Sequence, residues 1–209
     1  MKVSIIGASG FIGSAILQEA LNRGHEVTAI VRHPEKITLQ NPHLTVKKGD
    51  VQSAAEVAGL VKGTAAVISA FNAHDTNTYI KAIHAIIDGT KQAGIKRLLV
   101  VSGAGSLEVA PGVQAVDTPE FPEAWKAGAL ATREAFYVVK QEKELEWTVL
   151  SPAATIAPGE RTGKFRLGKD QLLTNDKGES TISTADYAVA MIDELEQPQH
   201  VRERFTLAY

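Results

Sequence analysis

The feature that most constrains this chain lies at its start. Lys2–Ile6 is a short, mostly apolar run of strand character that leads straight into Gly7-Ala8-Ser9-Gly10-Phe11-Ile12-Gly13. Over residues 11–23 the apolar side chains of Phe11, Ile12, Ala15, Ile16 and Ala20 recur near helical spacing, and Gly24 supplies a C-terminal cap. Few arrangements join a strand to a helix through glycines three residues apart. Gly7 permits a sharp turn off the strand. Gly10 leaves no side chain between backbone and phosphate, and Gly13 lets the helix sit close against the strand. The N–H groups around Ser9, Gly10, Phe11 and Ile12 then face a dinucleotide pyrophosphate, backed by the positive end of the helix. A glycine-rich turn without a ligand is the bland alternative.

The rest of the chain repeats this alternation. Strands are expected at Glu26–Val31, Leu44–Lys48, 65–70, 97–102 and 147–151. Helices are expected at 53–61, 75–93 and, starting late, within 123–144. Ser53 with Glu56 forms a capping box for the first of these helices. Strands separated by helices of this length imply crossover connections and an α/β, doubly wound parallel sheet. After Pro152 the pattern weakens. Residues 164–173 suit one or two edge strands, Ser183-Thr184 caps a helix over 185–196, and 204–208 reads as a last strand. This tail, about 153–209, and the loop over 103–122 form a small substrate or lid region at the carboxyl ends of the strands.

The second strand ends in Val31-Arg32-His33, where a ribose-binding carboxylate is usual in NAD sites. Arg32 suits a 2′-phosphate and adenine stacking, so NADP(H) is the expected cofactor, with NAD(H) also admissible. A solvated surface arginine is the other reading. Asp50-Val51, past the third strand, has the position for adenine contacts or else simply leads a helix. His74-Asp75 follows the fourth strand as an acid–base pair or a solvated helix start.

Composition narrows the partners. The 209 residues carry a net charge of −2, and the sequence pI is near 6.3. Neither nucleic acid nor an anionic membrane is thereby expected. No apolar run approaches the ~18 residues of a membrane span, and no signal peptide is read at the start. With no cysteine, disulfides, thiolate metal sites and cysteine nucleophiles are excluded. The six histidines show no metal-binding spacing. The expectation is a cytoplasmic protein, monomer or homodimer, that meets a small molecule. Arg161, Arg166 and Lys169 are either contacts for an anionic substrate or an exposed cluster.

Gly7-Ala8-Ser9-Gly10-Phe11-Ile12-Gly13, the Val31-Arg32 strand end, Gly49-Asp50-Val51 and Leu150-Ser151-Pro152-Ala153 resemble the atypical short-chain dehydrogenase/reductases. Among these the chain is most similar to the small NADH-flavin reductases grouped with NmrA-like and biliverdin reductase B-like proteins. The similarity extends over the whole chain, including Ser102-Gly103-Ala104-Gly105-Ser106 and Arg161-Thr162-Gly163. It implies one NAD(P)-binding Rossmann domain over residues 1–209. Strand order 3-2-1-4-5-6 is expected, with room for a seventh strand. It also implies that Ala70-Phe71, Ser102-Gly103 and Pro152-Ala153 line the nicotinamide end.

The chain departs from ordinary short-chain dehydrogenases in its chemistry. Their Tyr-x-x-x-Lys pair is missing: after Tyr137 the lysine comes one residue early, at Lys140, and Gln141 holds its place. Ile83 and Met191 stand four residues after Tyr79 and Tyr187. Ser102 is the one weak catalytic candidate, and it lies outside a nucleophile-elbow motif. Flavin reduction needs no such pair, because it chiefly requires two stacked rings, for which Phe71 and Trp125 are candidates. An NAD(P)H-dependent reductase of a flavin or quinone-like acceptor is expected, with flavin as substrate and not as prosthetic group. A non-catalytic NADP(H) sensor is the alternative, and a nucleotide-sugar epimerase or dehydratase fits less well.

Overall fold

The computed structural model describes residues 1–73 and 75–209. The chain runs through β1 (Lys2–Ile6), α1 (Phe11–Asn22), β2 (Glu26–Val31), β3 (Leu44–Lys48), α2 (Ala54–Val61), β4 (Ala66–Ser69), α3 (Thr76–Gln92) and β5 (Arg97–Val101). It continues through a hairpin of β6 (Glu108–Ala110) and β7 (Val113–Gln114), then α4 (Glu123–Lys140), β8 (Glu146–Ser151), β9 (Thr155–Ala157), β10 (Arg166–Gly168), β11 (Thr181–Ser183), α5 (Thr184–Glu196) and β12 (Glu203–Ala208).

The main sheet is ordered β10-β12-β8-β5-β4-β1-β2-β3. Only β10 is antiparallel, pairing with β12. The six strands expected from sequence thus take the 3-2-1-4-5-6 order of a Rossmann-like sheet, with β12 seventh and β10 eighth. Helices α1 and α5 cover one face through Ile16, Leu17, Tyr187 and Ile192. Helices α2, α3 and α4 cover the other through Val57, Ile83, Ile86 and Phe136. Strand β5 is buried at every residue, as a central parallel strand requires. Edge strand β3 keeps both lysines of its LTVKK run.

Side chains set several helix starts. Ser53, Asp75 and Ser183 accept N–H bonds from Glu56, Thr78 and Asp186. The capping box at Ser53 is only half made, because the Glu56 carboxylate accepts the N–H of Asp50 instead, at 2.9 Å. Helix α4 begins at Glu123, without the expected delay, and stops at Lys140, short of 144. There the Glu142 carboxylate takes the N–H groups of Glu144 and Leu145 and turns the chain. Of residues 164–173 only β10 is strand. The β6–β7 hairpin and the parallel β9–β11 pair were not expected from sequence; both are two or three residues long, too short for periodicity to register. Among the described residues no helix is long and apolar enough to cross a membrane, and no group of side chains could hold a metal.

A buried ion pair ties α5 to the amino-end edge of the sheet. Arg97 Nη2 donates to Glu194 Oε1 at 2.9 Å, and Arg97 Nη1 donates to Thr148 Oγ1 at 2.8 Å. Burial raises the Glu194 pKa, but the His200 ring and the N–H groups of His200 and Gln199 outweigh it and hold the carboxyl below its usual 4.5. Removing the carboxylate strands a buried guanidinium, so Glu194→Ala should cost about 3–5 kcal/mol in chemical denaturation. Because the folded pKa is depressed, the wild-type contribution should be complete above the unfolded value and lost as pH falls through the folded one. A denaturation midpoint unchanged between pH 6 and pH 3 would contradict this.

Candidate cofactor and substrate site

The site begins where β1 ends. Gly7 has φ +77°, and a Cβ on it would lie 2.6 Å from the Ala70 carbonyl oxygen, so only glycine closes the turn against β4. Gly13 sits behind the turn, where a Cβ would lie 2.9 Å from the Gly7 carbonyl carbon. Gly10 caps α1 with an ordinary φ of −78°, and a Cβ there would meet only the Gly7 oxygen, at 3.2 Å. No side chain caps this helix and no acid stands in its first turn. The first-turn N–H groups and the positive helix end therefore remain available to an anion.

A groove of about 240 Å³ runs from this turn past the ends of β2 and β3. Gly7, Ser9, Gly10, Arg32, Asp50 and Val51 line it, as do His33 and Lys36, which sequence reasoning missed. Arg32 is exposed and makes no ion pair among the described residues. Val51 is buried and forms part of the floor.

The groove opens into a second cavity of about 730 Å³ at the ends of β4, β5 and β8, and the two share Gly10, Ala70, Phe71 and Asn72. Phe11, Ile12, Ser102, Gly103, Pro152, Ala153 and Trp125 also line it. The structure thus gathers the expected residues along one continuous trough. Gly13 packs behind it, and His74 lies outside the described residues. Its neighbour Asp75 is the α3 cap. Tyr79, Phe121 and Thr132 line the cavity without having been singled out. Tyr79 packs edge-on to Phe71, centroids 5.6 Å apart, and burial pushes its phenol pKa well up, so it stays neutral. The Ser102 hydroxyl is buried and, like those of Ser151 and Thr206, has no hydrogen-bond partner among the described residues. Ser102 therefore presents its backbone and Cβ side to the cavity, not a poised nucleophile.

Tyr137 does not line this cavity. Its hydroxyl accepts a bond from the Gln114 amide at 2.8 Å, joining α4 to β7. Lys140 lines a different hollow, beside Trp147 and Arg202. The basic residues considered for an anionic substrate are also committed elsewhere. Arg161 clasps Glu19 at 2.7 and 2.8 Å, Arg166 donates to the Thr174 and Tyr209 carbonyls, and Lys169 meets Glu203 at 3.4 Å.

The loops that wall the cavity are fastened by buried charge. Arg204 Nε and Nη2 donate to Asp170 Oδ1 at 2.9 and 2.6 Å, Nη1 donates to Ser106 Oγ at 2.8 Å, and the guanidinium lies 4.4 Å over the Phe136 ring. This joins the loop after β5 to the one after β10. Asp186, fully buried, accepts bonds from Thr162 Oγ1, the Gly163 N–H and the Tyr209 hydroxyl at 2.6–2.8 Å. Burial alone would raise its pKa, and these three donors bring it below the ordinary range.

The chain's relatives agree with this geometry. A family described as NAD(P)H-binding matches residues 7–198. The uncharacterized protein YwnB of Bacillus subtilis is 45% identical over 212 residues, 99% of this chain and 98% of YwnB. A crystal structure from Bacteroides thetaiotaomicron, provisionally called an epimerase, is 55% identical with a TM-score of 0.96, covering 100% of this chain and 96% of that one. A Streptococcus pneumoniae protein provisionally called an NADH-flavin reductase is 38% identical with a TM-score of 0.85, covering 100% and 99%.

Gly10→Val tests the trough as a cofactor site. Valine can adopt φ −78°, so the fold should survive with a loss of about 1 kcal/mol from the altered cap. Its side chain would fill the space a pyrophosphate needs. Calorimetry should find NADPH affinity reduced at least about a hundredfold, ~2.7 kcal/mol; unchanged affinity would remove the turn from the site.

Proposed function

Since the chain belongs to the NAD(P)H-binding family, we propose that it is an oxidoreductase that transfers hydride from NADPH to a flavin or quinone-like ring without a tyrosine–lysine pair. The observation that carries this reading is the continuous trough. One end has a bare helix N-terminus with Arg32 and Lys36, and the other is a cavity walled by Phe11, Phe71, Phe121 and Trp125. NADPH, when bound, supplies the hydride. The first turn of α1 holds the pyrophosphate, and Arg32 pairs with the 2′-phosphate. Ser102, Gly103, Pro152 and Ala153 line the nicotinamide end, while Phe71 and Trp125 pack the acceptor in place. Water supplies the proton that accompanies the hydride, so no side chain has to titrate.

The name carried by the pneumococcal relative supports this reaction. The name of the Bacteroides relative points to epimerase chemistry, which in the extended branch uses the tyrosine–lysine pair. Here the Tyr137 hydroxyl is engaged by Gln114, and Tyr137 is not among the residues that line the cavity. A non-catalytic NADP(H) sensor is the second reading, favoured by the unpoised Ser102 hydroxyl. NADPH oxidation against flavins, quinones and sugar nucleotides separates the three. Turnover with a flavin or quinone is expected. Tight cofactor binding with no turnover would make the protein a sensor, and conversion of a sugar nucleotide would make it an epimerase.

Two variants sharpen the reading. NADPH should bind roughly tenfold to a hundredfold more tightly than NADH, the size of one charge-assisted contact of about 1–3 kcal/mol. Arg32→Ala should erase most of that gap, and the gap should shrink with salt. Titrations in which the variant still prefers NADPH would move cofactor choice elsewhere. Tyr137→Phe should retain most of the reductase turnover, whereas loss of a general acid would lower it about a hundredfold or more.

A further inference from the structure

Charge along the trough is sharply segregated. The groove at the β2 and β3 ends is lined by Arg32 and Lys36, with His33 held by Glu35 at 3.1 Å, against one lining acid, Asp50. The larger cavity has no cation in its lining among the described residues, and its one charged side chain is Glu120. Glu120 is exposed and makes no ion pair among the described residues. Cations stand near this cavity, and the two arginines among them are already held. Arg133 is bound to Asp117 at 2.9 Å, Lys126 faces Glu123 at 3.8 Å, and Arg204 is clamped between Asp170 and Ser106. The remaining polar lining is neutral: Asn72, Tyr79, Ser102, Thr118, Thr132 and Thr155. Phe11 and Trp125, 56% and 62% exposed, offer flat apolar surfaces at the cavity wall.

We propose that the acceptor is an uncharged, phosphate-free planar ring with hydrogen-bonding edges, and that Glu120 is the specificity-determining residue that disfavours anionic acceptors. The proposal rests on the reductase reading of the same trough and narrows it. A phosphate moved from water into a site with no lining cation among the described residues loses solvation that the neutral lining replaces only in part, and beside Glu120 it also meets a like charge. Among the described residues, Arg32 and Lys36 stand at the groove end and no cation lines the other. Neutral amide and hydroxyl groups suit the carbonyl and N–H edge of a ring, and aromatic faces suit its plane. Riboflavin or a neutral quinone meets these terms; FMN, FAD and sugar nucleotides do not.

The test uses the full chain with saturating NADPH. Initial rates are compared for riboflavin against FMN and FAD, and for a neutral naphthoquinone against its sulfonate. The neutral member of each pair should have at least about tenfold higher kcat/KM, ~1.4 kcal/mol, with the difference in KM. Glu120→Gln should narrow that ratio, and Glu120→Lys should reverse it. Raised ionic strength should compress the gap in the wild type. Binding of the same compounds to NADP+-loaded protein, followed by calorimetry, gives a second readout independent of turnover. If riboflavin binds and FMN does not, yet nothing is reduced, the reductase reading falls while the charge selection stands. Equal kcat/KM for riboflavin and FMN, a ratio indifferent to Glu120→Lys, or failure of any neutral ring to bind would overturn the proposal.

Discussion

Gly7 and Gly13 lack a Cβ, and the whole carboxyl end of the sheet is arranged around that lack. With Gly7 closed against the Ala70 carbonyl, and α1 close behind it at Gly13, the first turn of the helix is aimed across the strand ends. Any side chain at either position would push the turn off β4 or the helix off the turn. The N–H groups would then no longer face the trough, and the shared wall of Ala70 and Phe71 would be displaced. The position of the larger cavity follows from the same contact, since it opens where this turn meets the ends of β4, β5 and β8.

Rigidity on the acceptor side has a different origin. The segments after β5 and β8 hold only short strands, with a few buried apolar side chains such as Leu107, Val116 and Ala153. They are fastened by charged side chains rooted in regular elements: Arg204 in β12, Glu19 in α1 and Asp186 in α5. Each of these groups is largely buried, and each is satisfied by several partners, the condition under which a buried charge stabilises instead of costing stability. The fastening has a chemical consequence. Basic residues that look available in the sequence, such as Arg161 and Arg166, are used up as fasteners, and among the described residues Glu120 is the one charged side chain in the cavity lining.

Part of this was legible without coordinates. Alternating buried strands and amphipathic helices report the crossover topology, because a parallel strand buried on both faces must be a continuous apolar run. The glycine spacing reports the phosphate end, because few other residues tolerate those backbone approaches. All eight main-sheet strands could be anticipated from the sequence pattern, β10 only within the wider stretch 164–173. The β6–β7 hairpin, the β9–β11 pair and the end of α4 could not. Their boundaries depend on single side chains such as Glu142 taking two N–H groups at 2.5 and 3.2 Å.

The sequence by itself determined the parallel crossover sheet, the anion-ready start of α1 and the lack of a tyrosine–lysine pair, since each is written in the spacing within an element or in the alternation of successive elements. Only the tertiary structure decided which residues separated by tens of positions face the same space. It turned Tyr137 toward Gln114, brought Tyr79 edge-on to Phe71, buried the Ser102 hydroxyl, and set His33 and Lys36 in one groove with Arg32. Local pattern records which way a side chain points relative to its own helix or strand. What it meets there depends on how the layers pack, and that is a property of the whole chain.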